Sequence, residues 1–147
     1  MTNREISARL SNILKTNGLK RTVQRDAVAT ALLRRDCHKT AQEVYAELKG
    51  KYPSLSQNTV YLTLQQFEEL GLIKRVSIGG KTFFDSNVLI HDHAFCQQCG
   101  LLVDVSISLG QQTPLILGQW RIAGAEHTWL GVCPGCAEGH TKKVSRR

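Results

Sequence analysis

The chain has 147 residues, 41% hydrophobic and 21% charged, the balance of a folded soluble protein and not of a disordered one. No run approaches the roughly 18 consecutive apolar residues of a membrane-spanning helix. The start, Met1-Thr2-Asn3-Arg4-Glu5-Ile6, lacks the apolar stretch of a secretory signal, so a cytoplasmic protein is predicted.

Helix signals open the chain. Thr2 and Glu5 form a possible capping box ahead of Ile6, Leu10, Ile13 and Leu14 at helical spacing, and Asn17-Gly18 ends the helix. Thr22 can cap a second helix with Val28, Ala31 and Leu32 on one face. Thr40 and Glu43 make another capping box, leading into Val44, Tyr45 and Leu48, with Gly50 and Pro53 as stops. Ser56 can cap a fourth helix, about 56–70, with Val60, Leu64 and Phe67 inward and Gly71 closing it. Then the period changes to that of a strand. Ile73, Val76 and Ile78 precede Gly79-Gly80, and Thr82, Phe83 and Phe84 follow, which is a two-residue hairpin signal.

Three helices, a fourth with a polar outer face and a hairpin are the layout of a winged helix-turn-helix. The net charge of +7 agrees. Residues 1–84 hold 14 Lys/Arg against 7 Asp/Glu, whereas residues 85–147 hold 5 against 5, so the part suited to a polyanion is the first. In the fourth helix Gln57, Asn58, Tyr61 and Gln65 face outward and can reach base edges or phosphates. Lys15, Lys20, Arg21 and Arg25 would flank the DNA backbone, with Lys81 at the wing. Each of these side chains taken singly is equally an ordinary solvated residue.

Four of the five cysteines form two pairs of equal spacing, Cys96/Cys99 and Cys133/Cys136, separated by 33 residues. Reduced cytosolic thiols do not form structural disulfides, and four thiolates are what a closed tetrahedral zinc site takes. A thioredoxin-like dithiol is the competing reading, but it needs one pair in a βαβ setting. Strand-like segments, 101–105 and 128–132, adjoin the pairs. Cys37 stands apart as a small buried apolar residue. Before the first pair comes His91-Asp92-His93. In an extended segment His91 and His93 point to one face and can meet one ion, and Asp85, Asp92, Asp104, His38 and His127 complete a pool of donors. Imidazole with carboxylate suits Fe(II), Mn(II), Ni(II) or Zn(II).

These motifs carry a resemblance. Leu19-Lys20-Arg21-Thr22-Val23-Gln24-Arg25, His38-Lys39-Thr40-Ala41, Asn58-Thr59-Val60-Tyr61, Phe84-Asp85, His91-Asp92-His93-Ala94-Phe95-Cys96 with Cys99-Gly100, and the second cysteine pair together resemble the ferric uptake regulator family of bacterial metal-dependent repressors. The likeness runs from about residue 8 to residue 136. It implies an α+β protein: an N-terminal winged helix-turn-helix (1–84), a hinge with metal ligands (85–93), and a small C-terminal α/β dimerisation domain (94–147) with a four-cysteine zinc site and a basic tail. It also implies a homodimer on a palindromic, AT-rich operator. Within the family the peroxide-sensing branch is most similar, and His38, Asp85, His91, His93 and Asp104 match its regulatory ligands residue for residue. The resemblance thus implies Fe(II) or Mn(II) there, with Zn(II) an alternative, and His38 and His91 as the residues peroxide oxidises. Iron-sensing members typically carry Glu where Asp104 stands, and zinc-sensing members a Cys upstream of the histidine pair.

Two features depart from the family pattern. Ile90 stands where some iron-sensing members have a further His, which puts any extra site on Asp92 and His127 in question. The dimerisation helix, about 111–118, is short and contains Pro114. Two functions of different classes remain: a metal-dependent repressor, with or without peroxide sensing, and a zinc-dependent redox or hydrolytic enzyme. Against the enzyme, the sequence has no phosphate-binding Gly loop and no His-Glu-x-x-His.

Overall fold

In the computed structural model, residues 2–33, 38–106, 116–117, 119–121 and 123–139 are described. The chain divides into two compact units, Met1–Val88 and Leu89–Arg147.

The first unit begins with helices whose starts are set by side-chain caps. Thr2 caps α1 (Asn3–Thr16) through a reciprocal box with Glu5, and Gly18, at φ 67°, follows it in the left-handed region. The Thr22 hydroxyl accepts the Arg25 N–H at the start of α2 (Val23–Leu33). Next comes a two-residue strand, β1 (His38–Lys39), and then α3 (Ala41–Leu48) with its Thr40/Glu43 box. Ser56 caps α4 (Gln57–Glu69), and Gly71 closes it at φ 65°. Ile6, Leu10 and Leu14 of α1 pack in one core with Val28 and Leu32 of α2, Val44 of α3, Val60, Leu64 and Phe67 of α4, and Phe84. The predicted helical faces are therefore the buried ones.

The hairpin forms as expected. β2 (Lys74–Ile78) and β3 (Lys81–Asp85) pair antiparallel through Gly79 and Gly80, both at positive φ (59° and 71°), which only a primed turn of glycine type satisfies without strain. β1 adds to the other edge of β3, giving the order β1-β3-β2. Four helices with this three-stranded wing make a winged helix.

The second unit is a small sheet of order β5-β4-β8. Central β4 (Asp92–Cys96) runs antiparallel to β5 (Leu102–Val105) and parallel to β8 (Thr128–Gly131). A separate ribbon pairs β6 (Ile116–Leu117) with β7 (Trp120–Arg121), and α5 (Pro134–Ala137) follows β8. Of the helix expected over 111–118, residues 116 and 117 are described, and they are a strand; the rest lie outside the described residues, as does Cys37. The reason is local: apolar, β-branched Ile116 and its neighbour Leu117 find ladder partners close by in sequence, Arg121 and Trp120. Buried apolar residues are few among the described residues of this unit (Phe95, Cys96, Leu102 and Cys136), whereas Leu101, Trp129, Leu130 and Val132 are exposed. No helix among the described residues is long and apolar enough to cross a membrane.

The Thr40 box both starts α3 and ends β1. Thr40→Ala should cost about 1 kcal/mol and lower the melting temperature by a few degrees, read by thermal denaturation at constant zinc. An unchanged midpoint would show that the cap carries no weight.

Candidate metal centres and nucleic-acid surface

The four predicted cysteines converge. β4 ends at Cys96, and a tight turn closed by Gly100 N–H to Cys96 O (2.8 Å), with Gly100 at φ 76°, brings Cys99 back beside it. Because β8 runs parallel to β4, with Gly131 opposite Cys96, the chain leaves β8 at the same end and delivers Cys133. Pro134 then starts α5, which turns Cys136 inward. One sulfur from each cysteine lies within 4.8 Å of the others, and none of the four is in a disulfide. Cys99 Sγ is 3.7 Å from Cys133 Sγ. Zinc–sulfur bonds of about 2.3 Å span a tetrahedron with edges of about 3.8 Å, so the spacing fits zinc and is far beyond the roughly 2.05 Å of a disulfide. The electrostatics are prepared as well. The Cys133 N–H donates to Cys96 Sγ (3.3 Å), and with the Cys99 N–H it holds the Cys96 thiol down to about 6. Burial and the neighbouring thiols push Cys136 up to about 12. Such a thiol gives up its proton when a metal takes its place.

In the first unit, His38 and Asp85 are register partners across β1 and β3. His38 Nε2 lies 3.4 Å from Asp85 Oδ2, and both side chains are buried, to 3% and 0% exposure. Asp85 Oδ1 accepts the Asn87 N–H at 2.8 Å. Lys74, opposite Asp85 on the other side of β3, brings its ammonium 3.8 Å from Oδ2. The two-residue strand that aims His38 is too short to show a period in the sequence.

In the second unit, His93 is buried on β4 opposite Asp104 of β5. His91 precedes β4, donates through Nδ1–H to Leu89 O at 2.8 Å, and sets Nε2 3.2 Å from Asp104 Oδ1. The two imidazole rings lie 4.4 Å apart, on one face as the His-x-His spacing predicts. Asp92 is turned elsewhere. Its Oδ1 accepts the His127 backbone N–H (2.8 Å) and sits 3.2 Å from His127 Nδ1, and the backbone N–H is the main cause holding its carboxyl below the usual range. This pair ties β4 to the start of β8.

On α4, Gln57, Asn58 and Tyr61 are exposed, as predicted, and Tyr61 keeps its ring edge-on to Phe84 at 6.4 Å. Leu62 is also exposed, at 55%; helical spacing places it beside Tyr61 and Asn58, a position legible in the sequence although its side chain is apolar. Lys15 is exposed at the end of α1. Arg21 and Arg25 are engaged within the unit. Arg21 pairs with Asp26 (2.7 Å) and donates to the Ser7 hydroxyl (2.6 Å). Arg25 donates to Gln66 Oε1 (2.9 Å) and to the Lys20 carbonyl, which ties α2 to α4.

A model of the ferric uptake regulator family matches residues 16–128. The peroxide operon regulator of Bacillus subtilis is 33% identical over 129 residues, covering 85% of this chain and 89% of that protein. The ferric uptake regulation protein of Campylobacter jejuni is 32% identical over 141 residues, covering 87% and 86%. Among solved structures, the Helicobacter pylori ferric uptake regulator shares the fold with a TM-score of 0.75 at 22% identity, over 96% of this chain and 97% of that one.

Because the second unit buries so little, removing the thiolates should undo it. Cys96→Ser is expected to abolish stoichiometric zinc and to remove the cooperative unfolding transition of residues 89–147, read by metal analysis and hydrogen exchange. Full zinc content with normal protection in that variant would rule out the tetrad as the zinc site.

Proposed function

This chain belongs to the ferric uptake regulator family, and from that premise we propose that it is a peroxide-responsive member acting in the cytoplasm. It is a metal-dependent, DNA-binding transcriptional repressor that works as a dimer; its relatives are regulators, and the enzyme alternative falls away. Zinc at the four cysteines is its structural metal. The operator we propose is an AT-rich palindrome, whose two halves match the two-fold symmetry of a dimer.

The observation that carries the regulatory reading is that each unit holds a short imidazole–carboxylate contact: His38 with Asp85 in the first, and His91 with Asp104, beside buried His93, in the second. Our proposal is that one Fe(II) or Mn(II) takes its ligands from both sets, His38, Asp85, His91, His93 and Asp104. Ligands drawn from two units restrict the angle between them and so set two α4 helices one DNA turn apart. Metal and DNA then tighten each other's binding by the same factor. The donors are nitrogen and oxygen, without thiolate, which suits these metals. Asp in place of Glu at 104 favours the peroxide-sensing branch over the iron-sensing one. Fe(II) held at these residues would supply redox chemistry toward hydrogen peroxide, in which one peroxide oxygen ends on an adjacent imidazole and the other leaves as water. The chain's part is to hold His38 and His91 against that metal.

In the DNA complex Gln57, Asn58 and Tyr61 read bases, and Lys15 contacts phosphate. Arg21 and Arg25 also belong to the phosphate-facing group, but their internal partners make them struts as well. Asp92 and His127 act as a strand tie and not as a further metal site.

Two measurements test this reading. Iron-loaded protein treated with mild peroxide should gain one oxygen on the peptide of His38 or His91 and lose DNA binding; manganese-loaded protein should do neither. Unmodified histidines, on a protein that releases DNA only when chelated, would make it a plain iron-, manganese- or zinc-responsive repressor. In DNA shift assays, Tyr61→Ala should relax sequence preference, while Lys15→Ala should weaken all sequences alike and lower the salt slope by about one. Equal, sequence-independent losses from both would contradict this division of roles.

A further inference from the structure

We propose that Lys74 sets the metal affinity of the His38/Asp85 half-site by opposing a divalent cation at the carboxylate oxygen the cation would take. The inference rests on the reading of Asp85 as a ligand and adds a residue to it. β3 is the middle strand of the wing, so Asp85 has a register partner on each side, His38 on β1 and Lys74 on β2. Directly opposed residues share a face of the sheet, and both neighbours reach the same atom. His38 Nε2 is 3.4 Å and Lys74 Nζ 3.8 Å from Asp85 Oδ2. The other oxygen, Oδ1, is committed to the Asn87 N–H. Oδ2 is thus the oxygen placed beside an imidazole nitrogen, and it is the one that already faces a cation.

The Lys74 side chain is only 20% exposed and Asp85 is fully buried, so water screens the pair less than it would on an open surface. At 3.8 Å the contact is too long for a good hydrogen bond and acts mainly as charge on charge. Without a divalent ion, the ammonium compensates a buried carboxylate. With one, a single positive charge lies within a few ångströms of a double one, and the two repel. Neighbouring Arg75 does not share this role: it lies across the pleat, paired with Glu68 and over the Phe84 ring. Lys74 therefore stabilises the metal-free state and weakens the bound state, which keeps a repressor responsive to changes in metal supply.

A residue that merely holds the sheet together would behave differently, because its loss would weaken folding and metal binding together. The charge account predicts opposite signs. The test is Mn(II) titration of zinc-replete full-length protein without DNA, alongside thermal melting before Mn(II) is added. Lys74→Met should bind Mn(II) about tenfold more tightly while melting lower without it. Lys74→Arg, which keeps the charge, should stay within about twofold of wild type, and raised salt should shrink the difference between Met and Lys variants. Equal or weaker Mn(II) binding by Lys74→Met overturns the proposal while Asp85→Asn still loses Mn(II). If Asp85→Asn binds Mn(II) like wild type, the ligand reading itself has failed and the role of Lys74 falls with it.

Discussion

A carboxylate shielded from water must be compensated at close range, and in the first unit Asp85 is compensated from three directions. A backbone N–H takes one oxygen, and an imidazole and an ammonium approach the other. Much of the local architecture serves that arrangement. His38 can face Asp85 only if β1 lies along the edge of β3, and the Thr40/Glu43 box turns the chain into α3 at the very next residue. Phe84, one residue earlier on β3 and wholly buried, locks the strand to the helical core. The alternation of β3 then leaves Asp85 no freedom to point elsewhere. Strand register, helix cap and core packing converge on one oxygen atom.

The second unit solves the opposite problem. Its described residues bury few apolar side chains, and β8 leaves Trp129 and Leu130, on its two opposite faces, in solvent. Hydrophobic burial alone does not stabilise so small a sheet. Two things supply the deficit. The cysteine tetrad joins the turn after β4 to the turn after β8, so a tetrahedral ion there would cross-link a sheet that buries few apolar side chains. A second copy would cover apolar surface that a monomer leaves wet, in keeping with a family of dimeric regulators. Asp92 adds a smaller tie of the same kind, between β4 and the residue before β8.

What could be read from the sequence follows from how local each signal is. Caps at Thr2, Thr22, Thr40 and Ser56, the Gly79-Gly80 turn and the paired cysteines each occupy a few adjacent residues, and each is present in the structure. The features that escaped depend on pairing between distant residues. A two-residue strand at His38 has no period to detect. The meeting of Lys74 with Asp85 depends on hairpin register, and the engagement of Arg25 with Gln66 depends on how α2 crosses α4. The helix over 111–118 is an expectation of the family resemblance, and the pairing of residues 116–117 with 120–121 overrides it. Charge counting singles out the first unit as the one suited to DNA, but it does not tell exposed Lys15 from arginines already paired inside the fold.

Two metals in one chain raise the question of how each finds its place. Four thiolates favour zinc strongly, whereas zinc also outranks Mn(II) and Fe(II) at nitrogen and oxygen donors. Affinity order alone would fill both sites with zinc. A charge such as that of Lys74 lowers the affinity of every divalent cation alike and leaves their order unchanged. Discrimination must then come from ligand number and geometry. Zinc prefers four ligands in a tetrahedron, and the tetrad's 3.7 Å sulfur separation matches that shape. The proposed set of five nitrogen and oxygen donors would suit an ion that accepts more than four ligands. On this reading the cysteine site takes zinc by chemical softness and shape, and the histidine–aspartate set is left to ions that accept more ligands. A general weakening at the second set then has a use: it makes occupancy there follow the supply of the weaker-binding metal.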